Sequence, residues 1–592
     1  MGNGILSLGT RTMMAATAMM DTTGHNIANA NTPGYSRQQV QISTEGGTYT
    51  GAGFFGRGVR VDTVARSTSD FLVKENNING SNAAAGQSRL DKLKLLEKVL
   101  PTAENGLGYA ASQVLNAFVD VANQPKDMSA RQVVLARAQE WVSRMNTAGQ
   151  QLADLQSGLV LDVESSVGKV NSLTKQIADI NGSIAKFNGS GHQPNDLLDQ
   201  RDLLVSKLSE QVQITTVPAD DGTLSVFLGG GQLLVLGDSA QTLGTKRDTA
   251  DSTLTRVTLK VAGTERVLDS AQFTGGALAG LIQAQDSDLV SVKNMLNTFG
   301  ANFADSLNQQ QALGLDADGN SQTNFDISGK AVIKPLFTNT STAAGISLNL
   351  TSPKGLAAAS PLVATATSTN AGTMAMSSIT MLRAMPGPNA PDYGLSQPIK
   401  GQDLKMVFEA DPDPSNPTGL MYRFYDNSGT PYQDVAPNRR WAAGTPLSDG
   451  DPSLTPTGAL FSVQISGVPK VGDSLVIGTT QYPASNNGNA LAMLSLRDKN
   501  IVSLDGTTHA TVTDAYSQMI GSLGVLVQGG QTSADISTTL ARDSKQALTN
   551  AVGVNLDEEA ARLIQYQQSY QAAAKVIQIA QSVFDSLMNI MH

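Results

Sequence analysis

From Val134 to Phe187 the apolar residues recur alternately four and three positions apart, and no other feature of the sequence restricts the fold as strongly. The series begins Val134, Ala138, Trp141, Met145 and Ala148, and closes with Ile177, Ile180, Ile184 and Phe187. That spacing places one stripe on one face of a helix. A single extra step of four, Leu159 to Val163, is a stutter that locally unwinds a coiled coil. Read as one helix, residues 130–187 span about 80 Å. Such a rod cannot bury its stripe alone and needs partner helices. Gly149, Gly158 and Gly168 each cost about 1 kcal/mol relative to alanine, so a break is expected near Gly158.

Partners are available. A second stripe runs Leu278, Ile282, Leu289, Val292, Leu296, Phe299, Phe303 and Leu307, and residues 88–124 and 512–550 are also helical in pattern. Together they predict an antiparallel bundle built from both halves of the chain. Between the helices the period changes to two. Val212–Val217, Leu224–Leu228, Leu233–Leu236 and Thr255–Val261 read as short strands. Residues 315–505, rich in Gly, Pro, Ser, Thr and Asn, carry strand-like runs at 460–465 and 474–477 and predict β-rich domains with many turns.

The two ends of the chain are helical and amphipathic. Ile5–Asn29 carries Leu6, Gly9, Met13, Ala16, Met20, Thr23 and Ile27 on one narrow stripe of small or flexible residues. It should stop at Asn31-Thr32-Pro33-Gly34, because Pro33 restricts Thr32 and Gly34 permits a turn. At the other end Asn555 caps, Asp557, Glu558 and Glu559 favour the positive pole of the helix dipole, and the helix runs towards His592. Leu563, Tyr570, Ile577, Phe584 and Met591 recur every seven residues, flanked by Tyr566, Ala573, Ala580 and Leu587 on one side and Ala574 and Met588 on the other. This is coiled-coil spacing with a face wide enough for more than one partner. Helices of these lengths are marginal alone, and each large side chain contributes roughly 1.5–3 kcal/mol when buried. Order at the ends is therefore expected to depend on assembly.

Composition removes several classes of function. A net charge of −10 with no basic run argues against nucleic acid. The absence of cysteine excludes disulfides and thiolate chemistry. No apolar run reaches the length of a membrane span, and the first ten residues lack the charge and apolar core of a cleaved leader. Gly51-Ala-Gly53-Phe-Phe-Gly56 has dinucleotide-loop spacing, but an alternating strand pattern follows where a helix is required. Asp316-Ala-Asp318-Gly-Asn320 departs from a calcium loop at its sixth and twelfth positions and reads as a turn. His25, His192, His509 and His592 lie far apart without ligand spacing. His25 reads as a packing or capping residue. Asp196, Asp199, Arg201 and Asp202 share one helix, where ion pairs are the expected use. No catalytic residue, metal or cofactor is expected.

Asp21-Thr-Thr-Gly-His-Asn-Ile-Ala-Asn-Ala-Asn-Thr-Pro-Gly-Tyr-Ser-Arg-Gln resembles the N-terminal signature shared by bacterial flagellar rod, hook and hook-associated proteins, with Asn26, Ile27, Ala28, Asn29, Thr32, Pro33, Gly34 and Tyr35 at its centre. Residues 556–577 resemble the C-terminal signature of that family. Gly553-Val-Asn-Leu-Asp-Glu-Glu, Tyr566-Gln-Gln-Ser-Tyr, the segment from Ser129-Ala-Arg-Gln to Ile180, and Asn195-Asp-Leu-Leu-Asp-Gln-Arg-Asp are closer to its hook-associated members than to rod or hook subunits. Hook and distal-rod subunits share both signatures but are expected to be β-rich between their ends. A secreted enzyme or an adhesin with a helical stalk is the remaining alternative.

The resemblance implies a structural subunit outside the cell at the hook–filament junction, exported by the flagellar secretion system without a cleaved signal peptide. It also implies a homo-oligomeric ring or helical layer, contacts with the hook subunit, a second junction protein and the filament, and a cytoplasmic export chaperone on the C-terminal helix. The interface residues expected on this basis are Leu6, Met13, Ala16, Met20 and Ile27 with Leu563, Tyr566, Tyr570, Ala573, Ile577, Ala580, Phe584, Leu587 and Met591. The fold class is α+β and multidomain. Residues 1–75 plus 553–592 form a terminal assembly domain, and 76–212 plus 276–312 plus 510–552 a helical bundle. Residues 213–275 form a small β-rich segment and 313–509 the outer β-rich body.

Overall fold

The computed structural model describes residues 2–50, 53–187, 193–261, 263–320, 334–382, 403–413, 415, 419–426, 428–431, 439–448 and 460–590. Gly51, His192, Met591 and His592 lie outside them, as does the side chain of Leu587. In chain order the helices are α1 (Gly2–Asn29), α2 (Asp70–Val99), α3 (Leu107–Asn116), α4 (Phe118–Asn123), α5 (Met128–Phe187), α6 (Asn195–Gln211), α7 (Ala277–Gln283), α8 (Leu289–Ala312), α9 (Gly488–Ser495), α10 (Val512–Val552) and α11 (Leu556–Ile590). They belong to two compact units, one of residues 1–95, 155–289 and 526–592, the other of 96–154 and 290–525. The chain has the expected α+β composition, with long helices at both ends and sheets in the middle.

The rod α5 corrects one expectation: it runs through Gly158 without a break. Leu159, Val160 and Val163, which follow the glycine, are buried. At about 1.5–3 kcal/mol per buried side chain their packing outweighs the glycine penalty. Within the heptad series Leu155, Leu173 and Ile180 are half-buried and Phe187 is exposed, while the other positions are buried.

In the first unit the chain leaves α1 and forms an antiparallel hairpin, Gln38–Thr44 with Val59–Arg66, bulged between Gln41 and Ile42. Its outer part pairs Thr48–Thr50 with Gly53–Phe55. Within the glycine-rich stretch Gly53–Phe55 is a strand, and a second strand rather than a helix, Val59–Arg66, follows it, as the alternating pattern required. Ile214–Pro218, Leu224–Leu228, Leu233–Leu236 and Ser239–Ala240 make a four-stranded sheet, and Thr242–Arg247, Thr255–Val261 and Thr264–Val267 a three-stranded one. Two asparagines of α5 anchor these sheets. Asn171 exchanges hydrogen bonds with the backbone of Leu243, and Asn181 donates to Leu224 and Gly237 oxygens while accepting from Leu224 N–H.

The stripe expected from Leu278 to Leu307 is interrupted. Between α7 and α8 the helix takes one π turn, Ala284–Asp288. The extra residue lets two polar side chains face inward. Gln285 pairs with both backbone groups of Thr255, and the buried Asp288 carboxylate takes a two-pronged bond from Arg89 at 2.8 and 2.9 Å.

In the second unit Trp141 of α5 is fully buried, edge-on to Phe303 and Phe337 with ring centroids 4.7 and 5.2 Å away. Beyond it lies a β-sandwich. One sheet is ordered Leu362–Ala366, Ser474–Thr479, Leu404–Ala410, Leu420–Tyr425; the other Ala375–Met381, Phe461–Ser466, Leu447–Ser448. Strand alternation turns Leu404, Met406 and Phe408 into a core shared with Phe424, Phe461 and Val463. The Asp316 carboxylate accepts from the backbone N–H groups of Asp318 and Asn320, which makes that stretch a turn.

Candidate assembly interface

Helix α1 packs antiparallel on α11, so that the two ends of the chain meet along their length. The contact is close because the facing residues are small. Gly9, Ala16 and Thr23 of α1, seven apart, are buried, as are Ala573 and Ala580 of α11. A Cβ placed on Gly9 would lie 2.6 Å from Ile577 Cγ1, nearer than any side chain tolerates.

The signature residues close one end of this pair. Helix α1 stops at Asn29, and the turn Thr32-Pro33-Gly34-Tyr35 is shut by Tyr35 N–H donating to Thr32 O at 3.2 Å. Gly34 sits at φ +81°, the conformation required at the third position of a type II turn after proline. The turn brings Tyr35 back over Asn26, whose side chain is 1% exposed. Asn26 uses its full hydrogen-bonding capacity. Its Oδ1 accepts from Gln38 N–H at 2.9 Å and Tyr35 O–H at 2.8 Å, and its Nδ2 donates to Gln38 O at 2.8 Å and Glu559 Oε2 at 2.9 Å. Glu559, also 1% exposed, takes Arg37 Nε on its other oxygen at 2.7 Å. Arg37 N–H donates to Val552 O at 2.8 Å, and Asn555 caps α11 by accepting from Asp557 and Glu558 N–H. Residues more than five hundred positions apart are thereby joined through one buried carboxylate.

Helix α6 supplies a second set of acids. Asp196, Asp199 and Asp202, three apart, share a face. Asp199 accepts from Ser36 N–H and from Arg66, Asp202 takes Arg66 at 2.6 Å, and Asp196 takes Gln38 Nε2. The expected ion pairs are present, with Arg66 of the hairpin rather than Arg201 as partner. Arg201 instead donates to Gly222 O. Burial, then the negative charges of Asp199, Asp196 and Glu559, push the Tyr35 phenol well above its ordinary range and hold it protonated as a donor. His25 Nδ1 lies 3.1 Å from the same hydroxyl and packs edge-on to the Tyr35 ring.

Of the residues singled out on the seams, Ala16, Ala573 and Ala580 are buried in the pair, and Met13, Met20, Ile27, Leu563, Tyr566 and Ile577 are half-buried. Leu6, Tyr570 and Phe584 are exposed, Phe584 by half its surface. The chain thus covers the flanking stripe of α11 and leaves much of the central one open. Ile564, Ile579, Val583 and Met588 are exposed as well. Among the signature residues Asn26, Gly34 and Tyr35 shape the junction, while Ala28, Thr32 and Pro33 face solvent. Of the residues that complete the junction, Glu559 reads from the sequence only as a helix-dipole acid and the three α6 acids only as ion-pair residues. Their sequence signal was a carboxylate in phase with the buried stripe and a three-residue spacing.

Three family descriptions match the chain: "Flagellar hook-associated protein FlgK helical domain" over residues 93–326, "Flagellar basal body rod FlgEFG protein C-terminal" over 545–590, and "Flagella basal body rod protein" over 6–35. The chain is 27% identical over 589 residues to flagellar hook-associated protein 1 of Salmonella typhimurium, covering 97% of this chain and 98% of that one. Against the protein of the same name from Escherichia coli it is 26% identical, with 97% of each chain covered. The Bacillus subtilis protein of that name is 32% identical over 40% of this chain and 49% of its own length. Among solved structures, the flagellar hook junction protein FlgK of Burkholderia pseudomallei aligns with a TM-score of 0.62 at 23% identity, over 80% of this chain and 99% of that one.

Proposed function

We propose that this chain, which belongs to the flagellar hook-associated protein 1 family, is a structural subunit of the bacterial flagellum that joins hook to filament. The observation that carries the mechanism is the open face of α11. One chain pairs its own two ends along small residues and leaves Tyr570, Ile579, Val583, Phe584 and Met588 exposed. Large apolar side chains set four apart, Ile579 with Val583 and Phe584 with Met588, form surfaces for other helices. Copies of this chain would cover it in a ring or helical layer, with the hook subunit on one side and a second junction protein and filament on the other. Its role is mechanical, with no reaction assigned to it.

On this reading residues 1–75 and 553–592 act together as the assembly domain, and the β-rich body of residues 313–509 is the solvent-facing part of the subunit. The subunit reaches its place through the flagellar export apparatus, with a cytoplasmic chaperone covering α11 until then. The helical middle favours this role over a hook or rod subunit. Deleting residues 553–592 tests it. The truncated subunit is expected to retain the far-ultraviolet helical signal of α2, α5 and α8 and to build no junction in cells lacking the parent protein. Junctions of normal appearance, seen by electron microscopy, would refute the proposal.

A further inference from the structure

We propose that Glu559 sets the register of α11 on α1. The inference rests on the terminal pair being the assembly element, and adds what makes its geometry unique.

The small residues of the contact repeat and so leave a second register open, at the loss of the close Gly9–Ile577 contact. The covered stripe of α11 is Tyr566, Ala573 and Ala580, and that of α1 is Gly9, Ala16 and Thr23, each repeating every seven residues. A slip of seven puts Ala580 in the place of Ala573 and Ala573 in the place of Tyr566, one apolar group for another. The connection to α10 permits it. Gly553, Val554 and Asn555 link the two helices, and unwinding the last six residues of α10 from helical to extended rise adds about 10 Å, the length of one heptad.

The polar contact does choose. Glu559 is the acid inside the seam, and its two oxygens are taken by Asn26 Nδ2 and Arg37 Nε. One heptad in one direction brings Tyr566 opposite Asn26 and in the other carries the contact past the start of α11 at Leu556, and neither offers acceptors to both donors. The slipped pair would take Glu559 from both its donors and leave the buried Asn26 Nδ2 one bond short. A single buried polar contact is the device that fixes register in helical pairs whose apolar seams repeat. Register in turn places Ile579, Val583, Phe584 and Met588. One slip displaces that face by about 10 Å along the pair and away from any neighbour built to meet it.

The chain has no cysteine, so two introduced ones can be labelled without background. Nitroxides on Thr17→Cys and Gln578→Cys, both at exposed positions, report the axial offset in the free full-length chain by electron–electron resonance. The parent sequence is expected to give one distance. With Glu559→Ala added, a second population is expected in which the axial offset has changed by about 10 Å, while the circular dichroism of the helices is kept. A single unchanged distance would overturn the proposal. Should Glu559→Ala lose its helical signal, Glu559→Leu, which removes both acceptor oxygens and keeps a strong helix former, is measured in its place. A second distance there supports the register role and a lone parental distance overturns it. The measurement is made on the free chain, so its failure would leave the assembly reading untouched.

Discussion

Replacing Asn26 with alanine is expected to open the junction of the two terminal helices at a cost of about 3 kcal/mol. The substitution removes four hydrogen bonds at once. The Tyr35 hydroxyl can turn towards solvent or His25, so its loss costs little. Gln38 N–H, Gln38 O and Glu559 Oε2 are buried groups left without a partner. Each unsatisfied buried group costs about 1–3 kcal/mol, and partial relaxation or an entering water reduces the sum. Hydrogen exchange of the free chain, read by mass spectrometry on peptides from 10–38 and 556–577, isolates the effect from the rest of the molecule. A local loss of about 3 kcal/mol is roughly a hundredfold faster exchange. The peptides spanning Trp141 and Phe303 serve as the internal reference. Exchange at the ends within threefold of the parent would show that the polar junction contributes nothing and that the apolar seam alone joins the helices.

Gly9→Ala is expected to destabilise the pair by about 1–2 kcal/mol, since overpacking against Ile577 exceeds the helix-propensity gain, and Ile577→Ala in the same chain should recover part of the loss in a denaturation-based double-mutant cycle. Arg89→Ala leaves the buried Asp288 carboxylate without its partner and should cost about 3 kcal/mol in urea unfolding, whereas Lys92→Ala, from the more exposed pair with Asp162, should cost under about 1 kcal/mol. The raised Tyr35 pKa contributes stability that is present below the ordinary phenol value of 10.0 and is lost as pH rises above it, because the unfolded chain gives up that proton first. Thermal unfolding of Tyr35→Phe should therefore fall less steeply at alkaline pH than that of the parent, and parallel curves would contradict the assignment.

How far the fold could be read from the sequence depended on how local each cause was. The heptad stripe of α5, the strands at Leu224–Leu228 and Thr255–Val261 and the cap at Asn555 are encoded within a few residues of where they act, and the structure has them. The continuity through Gly158 depends on side chains packed from elsewhere, so a local propensity argument missed it. The π turn at Ala284–Asp288 was invisible for the same reason: its cause is Arg89, two hundred positions away. The strands Thr242–Arg247 and Thr264–Val267 are polar edges of their sheet, without the apolar alternation that marks a strand. At the terminal junction the pattern found the helices, and the signature found Asn26, Gly34 and Tyr35. The acids that complete it, Glu559, Asp196, Asp199 and Asp202, looked like ordinary helix-surface charges. The heptad phase of Glu559 with Ala573 and Ala580 marks it as facing the seam, but nothing local shows that Asn26 and Arg37 will receive it.

The same asymmetry between small and large residues accounts for why assembly would wait for a template. Within one chain the ends are held by Gly9, Ala16, Ala573 and Ala580, residues that pack closely but bury little area. The residues with area to bury, Ile579, Val583, Phe584 and Met588, remain in water. Each is about half-exposed, so covering all four on both of two meeting chains contributes roughly 6–12 kcal/mol, at half of 1.5–3 for each. Association costs an estimated 4–15 kcal/mol in lost freedom of motion. Two free chains meeting along this face therefore come out near balance, and a stable dimer in solution is not expected. A chain that joins an existing layer meets neighbours on several sides and loses its freedom of motion only once. Its second and third contacts then count almost in full. Weak pairing in solution and firm addition at a growing end follow from one arrangement: small residues turned inward on the chain's own partner helix, large ones turned outward.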